Sequence, residues 1–114
     1  MILLFTSLLF VHYLLDYPLQ GDFLSKAKNK FNPIPHVPWY QAMAAHTFMH
    51  GFAVAMITGV PFLGLLEIAV HSATDYYKCK EDLTFNQDQY IHIGSKLLWT
   101  VIAIYVGVDI TVSI

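Results

Sequence analysis

The sequence predicts an all-α fold, a bundle of four transmembrane helices forming a single membrane domain over residues 1–114. Three observations predict it. The chain is 56% hydrophobic and 12% charged, whereas an ordinary soluble domain is about a quarter charged. The charges are gathered between long apolar stretches rather than spread along the chain. Four such stretches read as helices, at about 2–19, 39–58, 61–77 and 89–114, and a bilayer crossing takes roughly 20 mostly apolar residues.

The first stretch runs from Ile2 toward Pro18. It opens without Lys or Arg and is followed by no Ala-x-Ala site, so it is expected to be a retained helix and not a cleaved signal. The second and third are shorter and carry histidines; Gly59-Val60-Pro61 turns one into the other, with Pro61 suited to a first helical turn. The fourth has no polar face where Val101–Ile104 lies between Trp99 and Tyr105. Two polar connections remain. Residues 20–38 hold Lys26, Lys28, Lys30 and three prolines, and residues 78–88 hold Lys78, Lys80, Glu81 and Asp82. If all four stretches span, both connections lie on one side. The excess of positive charge makes that side cytoplasmic, with both termini outside, in a bacterial inner membrane.

The net charge of -2 and the absence of Arg argue against a nucleic-acid partner and against a bidentate phosphate clamp. The single Cys79 excludes an intramolecular disulfide and is expected to be an inert thiol between Lys78 and Lys80. Membrane lipid is the expected partner, with a homo-oligomer a further option.

The ionisable residues within the apolar stretches are patterned. His12 and Asp16, His46 and His50, His71 and Asp75, and Asp88 and His92 are each four residues apart. Residues at i and i+4 share one helix face, so each stretch offers one pair of metal-type ligands. The first and third pairs come late in stretches that run toward the lysine-rich side. The second and fourth come early in stretches that leave it. All four pairs therefore fall at one depth, as a single common site requires. Ionisable groups at membrane depth face the bundle interior and pair or bind. These eight suit one or two divalent ions, with Zn, Mn or Fe the expected metals, and two ions about 4 Å apart can clamp a phosphoester.

Each pair also has a plainer reading: helix–helix hydrogen bonding for the histidines, a helix cap for Asp88, an ion pair with Lys78 for Asp75. Glu67 lies one turn before His71 and is expected either to orient it or to act as a catalytic base; Asp22, just past the first stretch, is the other candidate base. Gln20 and Asp22 are expected to line the entrance or cap the next element, His36 to lie on the surface, and Lys96 to extend toward the membrane interface.

Taken in order, His12-Tyr-Leu-Leu-Asp16-Tyr-Pro-Leu-Gln20-Gly-Asp22, His46-Thr-Phe-Met-His50, His71-Ser-Ala-Thr-Asp75-Tyr-Tyr-Lys78 and Asp88-Gln89-Tyr-Ile-His92 resemble the bacterial and phage membrane proteins grouped as domain of unknown function 3307. The resemblance covers most of the chain and implies a membrane bundle with this ligand set, but no reaction. A looser similarity links the pattern to membrane-bound metal-dependent hydrolases. The expected function is a metal-dependent hydrolase acting on a phosphoester or lipid-linked substrate at the cytoplasmic leaflet, using metal-activated water. The alternatives are a metal-ion transporter or sensor, a non-catalytic structural protein of phage type, and di-iron oxidation. Few polar groups lie in the outer halves apart from Asp109, which weighs against transport.

Overall fold

Every regular element in the computed structural model, which describes residues 1–107, is an α-helix: α1 (Ile2–Asp16), α2 (Gly21–Ala27), α3 (Trp39–Thr58), α4 (Pro61–Cys79) and α5 (Phe85–Val106). The all-α expectation holds. The four long helices pack in the cyclic order α1, α3, α4, α5, and α2 lies against α3. The short α2 is an addition to the expected four. Asp109 and the end of the fourth predicted stretch lie outside the described residues.

Local chemistry sets the boundaries. α1 stops at Asp16 rather than running to residue 19, because the proline ring at position 18 disfavours a helical Tyr17; Tyr17 has φ -109° and ψ -83°. α1 thus has 15 residues and is about 22 Å long at 1.5 Å per residue. Gly59 ends α3 with a left-handed φ of 71°, and Pro61 opens α4, where a missing N–H costs nothing. α5 begins at a capping box: Thr84 accepts from the Gln87 N–H at 3.1 Å and Gln87 returns a side-chain acceptor to Thr84 N at 2.9 Å. Thr84, not Asp88, therefore caps this helix.

α3 and α4 approach closely at two glycines, Gly51 and Gly64. A Cβ on Gly51 would fall 2.7 Å from the Gly64 carbonyl oxygen, and one on Gly64 would fall 2.6 Å from that of Gly51. Side chains there would force the two backbones apart.

The interior divides along the bundle axis. Toward the α3–α4 turn, Leu4, Leu8, Val54, Leu63, Trp99 and Ala103 form an apolar core. Toward the opposite end, five histidines with Glu67, Asp75, Asp88 and Lys96 are buried. The outside shows the reverse pattern: Phe10, Phe48, Phe52, Met56, Phe62, Leu65, Leu97, Leu98 and Val101 are exposed. No single described helix is long and apolar enough to cross a membrane; α1 and α2 together are, but the chain bends by 85° between them. α3, α4 and α5 have 20, 19 and 22 residues, so what holds down their apolarity is the buried polar face.

Candidate metal centre

α1 contributes His12 and Asp16, α3 contributes His46 and His50, α4 contributes Glu67, His71 and Asp75, and α5 contributes Asp88, His92 and Lys96. Antiparallel packing of neighbouring helices brings the four predicted pairs to one level, as their sequence positions require. Asp16 Oδ1 lies 3.2 Å from His46 Nε2, 2.9 Å from His50 Nε2 and 3.5 Å from His71 Nε2. His46 and His71 Nε2 are 3.2 Å apart. Asp75 Oδ2 lies 3.2 Å from His46 Nε2, and its Oδ1 lies 3.1 Å from His92 Nε2. Asp88 Oδ1 is 3.4 Å from His92 Nε2. His12 Nε2 is 3.5 Å from Asp16 Oδ2. The imidazoles are layered, with His71 stacked on His50 and on His92 at ring-centre distances of 3.8 and 4.1 Å.

These separations are compatible with ligands around an ion. Metal–nitrogen and metal–oxygen bonds of about 2.1 Å put neighbouring ligand atoms roughly 3.0 to 3.4 Å apart in octahedral or tetrahedral sites. His50 Nε2 and Asp16 Oδ1 lie 2.9 Å apart and buried, outside hydrogen-bond alignment. Buried polar atoms need a partner, and a shared cation supplies one. Three ligand groups have their donor atoms mutually within 4.8 Å: Asp16 with His46, His50 and His71; His12 with His71 and His92; and Asp75 with Asp88 and His92. Together they contain all eight predicted ligands, and these buried groups can hold a metal ion.

Surrounding side chains fix the ligands. Glu67 accepts from Lys96 Nζ and, at 3.1 Å, from Trp99 Nε1, and its Oε1 is 3.4 Å from His71 Nδ1. Glu67 is therefore the partner that holds His71, closed in on the side away from the cavity described below. Lys96 does not extend to an interface: it is 1% exposed and turned inward, because the Glu67 carboxylate would otherwise be buried unpaired. Asp75 pairs with Lys28 Nζ at 2.9 Å, not with Lys78. Gln89 Oε1 accepts from or faces His12 Nε2 at 3.1 Å, and its amide donates to Asp16 and Asp88. Asp22 stands apart, exposed on α2 and paired with Lys26 at 2.9 Å. His36 is exposed, as expected.

Sequence reasoning missed Gln89 and Lys28. Gln89 could have been found, since it precedes His92 by three residues and shares its helix face. Lys28 could not, because its contact with Asp75 spans 47 residues.

Above the cluster is a cavity of about 440 Å³ whose lining includes Asp16, Asp75, Asp88 and Gln89 with Lys26, Lys28 and Lys78. It reaches the surface beside Lys26 and Glu81. Cys79 also lines it; burial pushes this thiol above its ordinary range, which suits an unreactive side chain. Comparison with protein-family models, with curated proteins and with solved structures finds no match.

Proposed function

We propose that this protein is a membrane-embedded, metal-dependent hydrolase acting on a phosphoester, free or lipid-linked, at the cytoplasmic leaflet. One observation carries the reading: the ligand cluster is the floor of the lysine-lined cavity, with Asp16, Asp75 and Asp88 belonging to both. A bound divalent ion supplies a Lewis acid and lowers the pKa of water. The protein supplies the rest. Lys26, Lys28 and Lys78 attract an anionic group to the mouth, Glu67 holds His71, and the apolar core closes the far end. Asp22 has no part in this scheme.

The membrane setting is supported by the inverted distribution of polarity, with ionisable groups inside and large apolar side chains outside. The cavity opens at the lysine-rich end, which the positive-inside rule assigns to the cytoplasm. The apolar core across the other half favours hydrolysis over transport, which needs a path through both faces.

The test uses detergent-purified protein loaded with Zn, Mn or Fe and a chromogenic phosphoester, beside a His46→Ala/His50→Ala variant. Metal-dependent turnover lost in the variant supports the reading; metal binding without turnover of phosphomonoesters, phosphodiesters or phospholipids overturns it. For orientation, a Lys80→Cys variant in a Cys79→Ser background should react with an impermeant thiol reagent in inside-out vesicles only.

A further inference from the structure

The ligand groups differ in chemistry, in depth and in access, and one carboxylate stands between them. The first, Asp16 with His46, His50 and His71, is rich in nitrogen, and its histidines are fully buried. The second, Asp75 with Asp88 and His92, is rich in oxygen, and both its carboxylates line the cavity. Asp75 turns Oδ2 toward the first group, 3.2 Å from His46 Nε2 and 3.4 Å from His71 Nε2, and the same oxygen accepts from Lys28 Nζ at 2.9 Å. It turns Oδ1 toward the second, 3.1 Å from His92 Nε2. Each oxygen thus faces a different set of ligands. Asp88 Oδ1 is buried and without a hydrogen bond, so the second group also has an acceptor left over for a cation.

We propose that the centre is dinuclear and asymmetric, with Asp75 bridging a closed inner ion and an exchangeable outer ion that faces the cavity. This rests on the metal-binding part of the function proposed above and on none of its hydrolytic chemistry. The inner ion takes the three histidines and Asp16, and Asp75 Oδ2 is the fifth ligand that closes the site. The outer ion takes Asp88 and His92 and keeps positions open toward the cavity, with His12 at the edge of its ligand set.

Charge favours an anion there. Asp16, Asp75 and Asp88 bring three negative charges and Lys28, on Asp75, returns one. Two divalent ions therefore leave an excess of two positive charges in a buried site. An oxyanion such as a phosphate monoester balances it, whereas a single ion would leave the site neutral and without a pull on anions.

Elemental analysis of the purified, Mn-loaded protein before and after brief chelator dialysis tests this, together with low-temperature electron paramagnetic resonance. Two equivalents are expected with an exchange-coupled Mn pair; dialysis should remove one equivalent and the coupling. An Asp88→Asn variant should hold one uncoupled equivalent that resists the chelator. Asp75→Asn should abolish coupling even where two ions remain; since this residue is buried, circular dichroism accompanies it, and Asp88→Asn carries the test if it fails to fold. A wild-type protein that holds one equivalent under saturating Mn overturns the dinuclear proposal and leaves metal binding intact. Two equivalents that leave together, or that persist in Asp88→Asn, overturn the asymmetry. No metal at all overturns both this and the function on which it rests.

Discussion

His50 Nε2 lies 2.9 Å from Asp16 Oδ1, and both atoms are buried without a hydrogen bond. Atoms held this close need a proton or a cation between them, and a metal ion bound there would replace the Nε2 proton. Replacing His46 and His50 by Ala removes two of the three inner histidines. Thermal unfolding should report it: in the parent protein, metal at 100 times its Kd adds about 2.7 kcal/mol of stability, and in the double variant it adds none.

Glu67 and Lys96 form a buried ion pair behind His71. Glu67→Gln and Lys96→Met each leave one charge buried alone and should each destabilise by about 3–5 kcal/mol. The double variant should recover most of that loss. Its metal affinity should stay about 10–100-fold below the parent's, because His71 has lost the carboxylate that holds it. Recovery of both quantities together would confine Glu67 to packing.

Lys28 sits 2.9 Å from Asp75 at the cavity floor. In Lys28→Met the site gains net negative charge, so metal should bind more tightly while inorganic phosphate competes less well. Opposite signs in metal titration and phosphate inhibition are the expected outcome. A fall in both would make Lys28 a structural support for Asp75.

Gly51 faces the Gly64 backbone with no space for a Cβ. Gly51→Ala should destabilise by about 1–3 kcal/mol through separation of α3 and α4. Gly94, in the middle of α5, has nothing within 4 Å of its would-be Cβ. Gly94→Ala should therefore stabilise by about 0.5–1 kcal/mol. Denaturation midpoints of the two variants should move in opposite directions.

Thr84 caps α5 one turn before Asp88. Thr84→Ala should cost about 1 kcal/mol and loosen the first turn, on which Asp88 and Gln89 depend. Outer-site metal retention should fall with it.

The sequence by itself determined the helical class, the α3–α4 turn at Gly59 and the common depth of His12, Asp16, His46, His50, His71, Asp75, Asp88 and His92. These are local properties: the i, i+4 period sets which side chains share a face, and alternating helix direction turns sequence position into depth. The end of α1 at Asp16, ahead of Pro18, was open to the same local reasoning. Tertiary structure alone decided the rest. Lys28 reaches Asp75 across 47 residues, and Lys96 turns inward because Glu67, 29 residues away, is there to receive it. Asp75 divides its two oxygens between separate groups of histidines. Such partnerships depend on which helix lies beside which, and on where each buried charge finds its counter-charge, and neither is encoded in the period of any one helix.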